Sequence, residues 1–203
     1  MIAEFKTFLQ NSIKMCAFYN LCATTQENCM NIKEELFAEH SKQQAVSVAK
    51  YACELKDNMQ QLVDCLLSTD TIIAQRAAWS IGWSVKINPT SLIPFIHFLI
   101  PLIERKDVHD AVIRNTMLVL EAIDIPEEYH GLVMNGCFNL IENPSTAPAI
   151  KAYSMTTVYN LSKYYPEILQ ELKTIIENNW DNETPAFKSR GKKILKSIKK
   201  IRK

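Results

Sequence analysis

Glycine is scarce: four residues in a chain of 203. Folds made of many tight β-turns draw on glycine for positive-φ positions, so its scarcity, with eight Pro mainly near candidate segment junctions, argues for helices rather than many-turned β structure. A phosphate cradle concentrates glycines in one loop, and neither G-x-x-x-x-G-K-[ST] nor G-x-G-x-x-G occurs. G-x-S-x-G is also missing, which removes the nucleophile-elbow hydrolases. The six cysteines (16, 22, 29, 53, 65 and 137) form no C-x-x-C pair, and most fall at helical core spacing. They read as free thiols of a protein in a reducing cytoplasm.

Metal and membrane signals are missing too. His40, His97, His109 and His130 lie in separate segments, with no H-E-x-x-H and no Cys at ligand spacing, so neither a metal nor a cofactor is expected. The paired carboxylates Glu34-Glu35 and Glu127-Glu128 fall in predicted first turns of helices, where the helix dipole accounts for them. No apolar run reaches the ~18 residues that a spanning helix needs. A signal peptide is not expected, because Glu4 sits where positive charge belongs and Lys14 interrupts the apolar stretch. Acidic residues are absent from the end of the chain. All 22 lie at or before Glu183, against 14 of the 23 Lys and Arg in residues 1–184, which makes that body −8 and the last nineteen residues +9.

What is present is repetition. Ile73–Ile81, Val112–Leu120, Ile150–Val158 and Phe187–Leu195 share one pattern: an apolar opener, a small or hydroxyl residue four places on, and an apolar residue eight places on. The openers are spaced by 39, 38 and 37 residues. A period near 40 with helical patterning inside each unit marks an all-α helical solenoid. Five antiparallel helix pairs follow: about 31–40 with 43–56, 58–68 with 71–86, 90–105 with 108–124, 126–142 with 146–164, and 166–180 with 184–200. Asn31 and Glu34 form a capping box, Ser68-Thr69-Asp70 supplies an N-cap for the second helix of the second pair, and Thr184-Pro185 opens the last helix. Residues 30–203 are expected to be one domain. Residues 1–29, with Ile2, Phe5, Leu9, Ile13 and Cys16 at helical spacing, are either an appendage or an N-terminal capping helix.

Thr90–Ile100, with Pro94 inside it, followed by Asp107 and by Val112–Ile123, resembles a HEAT repeat. Residues 150–161 and 187–198 resemble its second helix, with Lys151 and Lys188 where the family usually has Arg. The resemblance extends over about 31–200. It implies an α-α superhelix whose second helices line a concave face, and an Asp–Arg ladder between repeats. Arg76 and Arg114 are displaced from the ladder positions, so the ladder is expected to be incomplete.

With no catalytic constellation in view, the expectation is a non-enzymatic scaffold that binds a protein partner through the concave face. Counting 100° per residue, Trp79 and Trp83 fall outside the core stripe, beside Arg76. Tyr51, Arg76, Trp79, Trp83, Asn115 and Leu118 are the candidate partner-binding residues, since aromatic and Arg side chains anchor interfaces. The competing reading packs both Trp between repeats. The second candidate is a basic patch of Lys188, Arg190, Lys192, Lys193 and Lys196. It is either the polar outer face of a terminal cap or a nucleic-acid or anionic-membrane contact. A further alternative is a HEAT-like DNA-repair protein of the alkylpurine glycosylase type, with Trp79, Trp83 and Arg76 at the DNA and Asp110 or Asp124 as the acid. The −8 body argues against that reading.

Overall fold

The computed structural model describes residues 30–201. The candidate N-terminal helix, together with Cys16, Cys22 and Cys29, lies outside the described residues. The chain divides into two units, 1–31 and 32–203. The second unit carries all the architecture below.

Ten α-helices and no strand are found among the described residues. They are α1 (Ile32–Ala38), α2 (Lys42–Glu54), α3 (Lys56–Leu66), α4 (Thr71–Ile87), α5 (Ile96–Leu99), α6 (Asp110–Ala122), α7 (His130–Glu142), α8 (Pro148–Leu161), α9 (Ile168–Asn179) and α10 (Pro185–Ile201). The helix starts follow from local chemistry. Ser41 accepts from the Gln44 amide at 3.1 Å, and Asp70 accepts from the Ile72 and Ile73 amides at 2.9 and 3.2 Å. Thr184 Oγ1 accepts from Phe187 N at 3.4 Å, and Pro185 opens α10.

The third pair departs from the expected single helix over 90–105. Its first member is a 3₁₀ segment (Pro89–Phe95), the four-residue α5, and a second 3₁₀ segment (Ile100–Ile103). Pro94 and Pro101 lack the amide that an α-helix would bond and crowd the carbonyl four residues back, so the chain tightens around each.

The second member of each pair packs on the next: α2 on α4, α4 on α6, α6 on α8, and α8 on α10. The first members lie against this layer, α3 on α4, α7 and α9 on α8. The repeated small residues make this stacking possible. Ala77, Thr116, Ser154 and Gly191, each four places past an opener, are all buried. A Cβ on Gly191 would come within 2.9 Å of Ile176 Cγ2, so that position has no room for a side chain. Two of the buried serines are satisfied within their own helices, whereas Thr116 Oγ1 is buried with no partner among the described residues. Ser84 donates to Ser80 O at 3.1 Å, and Ser154 donates to Ile150 O at 2.9 Å. Around them, Met117, Leu120, Ile150, Val158 and Phe187 belong to one apolar cluster, and Ile73 and Ile81 are fully buried in α4.

Candidate interaction face

The inner second helices α4, α6 and α8 bury their core stripe and two flanks and leave one narrow stripe in water, whereas α2 and α10 are exposed over a wider arc. On α4 that stripe is Ile72, Gln75, Arg76, Trp79, Trp83 and Lys86, all half-buried or exposed, while the residues between them are buried. On α6 it includes Arg114, Leu118, Glu121 and Ala122, and on α8 Tyr153, Thr156 and Asn160. Residues at matching repeat positions stand in register. Trp79 is followed by Leu118, Thr156 and Lys193, and Trp83 by Ala122, Asn160 and Ser197.

At the N-terminal half of this face the aromatics are held by basic groups. The two Trp are half-buried, between the two alternatives read from sequence. The edge of His40 meets Trp79 with ring centroids 5.2 Å apart and planes at 89°. The ammonium groups of Lys42 and Lys86 lie over the Trp83 ring, 5.1 and 4.4 Å from its centroid. Arg76 donates through Nη1 to the carbonyls of Leu36 and Phe37 at 2.8 and 2.9 Å. Its charge therefore satisfies the C-terminal end of α1, where the helix dipole favours a cation.

Of the other candidates, Leu118 is half-buried on the same face, and Tyr51 is half-buried on α2. Asn115 is buried and lies under the surface. Its Nδ2 donates to Ala111 O at 2.8 Å, and its Oδ1 stands 2.5 Å from where a Cβ on Gly82 would be. The missing Cβ lets α4 and α6 approach, and Asn115 fills the gap.

The basic patch divides in two. Lys192, Lys193 and Lys196 are exposed, whereas Lys188 donates to Asp181 O at 3.3 Å. Arg190 turns away from that cluster. It donates to Glu121 Oε1 and to Thr156 Oγ1, both at 2.6 Å, and lies 5.9 Å from the Tyr153 centroid. Sequence spacing missed this contact, because Glu121 precedes Arg190 by two repeats. Lys151, placed by the resemblance where the family has Arg, is buried, and sequence spacing missed its partner Glu183. The pair joins α8 to the turn before α10, with Lys and Glu in place of the Asp and Arg of the expected ladder. Arg105 and Asp107 instead pair with each other inside one exposed turn.

The two carboxylates weighed as acids are poorly suited to that task. Asp110 is exposed in the first turn of α6. Asp124 accepts from Lys163 at 2.6 Å and from Tyr164 at 3.1 Å, and the Lys163 hydrogen bond, then that of Tyr164, holds its carboxyl below the usual range. Asp124 borders an open cleft of about 450 Å³ with His130, Tyr164 and Tyr165. His130 is buried there with both ring nitrogens in hydrogen bonds, to Ile125 O at 2.7 Å and to the Tyr165 hydroxyl at 3.2 Å. Among the described residues, no cluster of three His, Cys, Asp or Glu could hold a metal ion.

Charge follows the layers. The second helices α2, α4, α6, α8 and α10 carry two, two, one, one and seven Lys or Arg, thirteen in all, against three carboxylates, Glu54, Asp110 and Glu121. The first members, including their 3₁₀ segments, carry three cations (Lys33, Lys56 and Lys173) against ten carboxylates. One layer is basic and the other acidic, so the negative body charge says little about the second-helix face.

Antiparallel helix pairs, with second helices stacked in one layer and first members packed over them, define a helical solenoid. The HEAT repeat domain family model matches residues 32–198, and the chain belongs to that family. Neither the comparison with curated proteins nor that with solved structures found a match.

Proposed function

We propose that this protein is a non-enzymatic scaffold of the cytoplasm that docks a partner protein on its second-helix face, the concave side in HEAT arrays. One observation carries the reading: Trp79, Trp83 and Leu118 stand on a single face, partly in water, with Trp83 framed by two lysines. Half-exposed Trp with a rigid surround is the usual anchor of an interface. The rest of the face is polar and well packed, which suits a rim around such anchors.

Site-specific photo-crosslinking in the protein's own host tests this. A photoreactive amino acid at Leu118 should yield a discrete protein adduct. The same group at Leu132, 61% exposed on the first-helix member α7, serves as control and should yield none. Adducts from position 132 alone, or from neither position, would overturn the reading. Fractionation of the same cells tests the cytoplasmic assignment.

A further inference from the structure

We infer that the partner segment docking on the second-helix face is acidic and amphipathic, with carboxylates interleaved with large apolar side chains. This rests on the docking reading above and names the chemistry of what docks. The second helices carry thirteen cations to three carboxylates, seven of those cations on α10, and α4 carries no carboxylate at all. Several of those cations pair with no carboxylate among the described residues. Lys42, Lys86, Arg114 and Lys193 all reach solvent, and none has a salt-bridge partner among the described residues. Lys42 and Lys86 are held over Trp83, so part of the entropy of fixing a lysine is already spent before a carboxylate arrives.

The apolar half of the requirement comes from the same stripe. Ile72 is 51% exposed and Trp79, Trp83 and Leu118 are half-buried, at spacings of seven and four residues along α4 and one repeat away on α6. An extended or helical segment with acidic and apolar residues side by side meets both demands. A nucleic acid meets them less well. The Trp83 ring carries ammonium groups, and Trp79 is met by His40, so neither offers a free platform for a base. The middle of the face, with Leu118, Ala122 and Thr156, provides few positions for phosphates, whereas duplex binding draws on several such contacts.

The test is panning of a displayed library of random 16-residue peptides on the full-length protein. Selected peptides are expected to be enriched about threefold or more in Asp and Glu, with Leu, Phe or Trp among them. Their binding should fall roughly tenfold between low and physiological salt, and again in the Lys42→Glu/Lys86→Glu variant, because unlike charges attract across a screened surface. Both lysines are exposed, so the variant is expected to fold, and a circular dichroism melt checks that it does. Selection of neutral or basic peptides that still require Trp79 and Trp83 would overturn the acidic assignment and leave the docking reading standing. A labelled 20-nucleotide strand that binds more tightly than every selected peptide, and loses that binding in the same variant, would overturn both. So would salt-sensitive self-association in sedimentation velocity, with a second copy's acidic layer as the occupant, or no selection at all.

Discussion

Arg190 of α10 and Glu121 of α6 meet at 2.6 Å with α8 between their helices, and Thr156 of α8 shares the same guanidinium nitrogen. One side chain thus ties three consecutive second helices together. The two partners keep only 29% and 20% of their side-chain surface in water, and Glu121 Oε2 is buried without a hydrogen-bond partner among the described residues. Removing the cation should therefore cost more than an exposed pair is worth. Arg190→Ala is expected to lower stability by about 2 kcal/mol, between the surface and fully buried limits. Adding Glu121→Gln should recover at least half of that. An unchanged urea midpoint for Arg190→Ala would show that the tie contributes nothing.

Lys151 and Glu183 form the second tie, with side chains only 4% and 12% exposed. Breaking such a pair from one side leaves a buried charge without a partner. Glu183→Ala should destabilise by roughly 3 kcal/mol. The double change Lys151→Met with Glu183→Ala should return to within about 1 kcal/mol of the parent, because it removes both desolvated charges. Equal losses in the single and double variants would mean that the pair acts through packing alone.

Gly82 faces Asn115 across the α4–α6 contact, where an added Cβ would stand 2.5 Å from Oδ1. In an isolated helix, Gly→Ala is favourable by up to about 1 kcal/mol. Here Asn115 is buried and hydrogen-bonded to its own helix, so it has no easy retreat. Gly82→Ala should cost about 1–2 kcal/mol, the usual range for overpacking. In the Asn115→Ala background the same change should become neutral or stabilising. A double-mutant cycle by thermal melts reads the coupling directly.

The repeat was legible because small residues four places past each opener are a packing demand, and Ala77, Thr116, Ser154 and Gly191 recur at nearly constant spacing. The caps at Asp70 and Thr184 were legible for a similar reason: a cap is a contact within three residues. Contacts between repeats were not. The pairing of Arg190 with Glu121 depends on which rotamer crosses a neighbouring helix, and no local pattern encodes that. Asn115 was misplaced as a surface residue because helical phase alone does not tell that α4 lacks a side chain opposite it. The charge layers were hidden because first and second helices alternate along the chain, so running averages cancel.

The two Trp of α4 provide the most direct test of the face. Both are half-buried, so truncation should cost less than the roughly 3–5 kcal/mol of a fully buried Trp. Trp79→Ala with Trp83→Ala is expected to lower stability by about 3 kcal/mol in total and to leave a cooperative urea transition. Quenching gives a second reading that does not depend on stability. With Trp180→Phe, the fluorescence comes from Trp79 and Trp83 alone. Lys42 and Lys86 over Trp83 should draw the iodide anion in and keep the caesium cation away, so iodide should quench several-fold better at low salt. Lys42→Glu with Lys86→Glu should reverse that preference. Equal quenching by both ions would mean that the lysines do not stand over the ring in solution. Inaccessibility to both, together with a double-Ala variant that loses its cooperative transition, would return the two residues to the interior and leave the second-helix face without anchors.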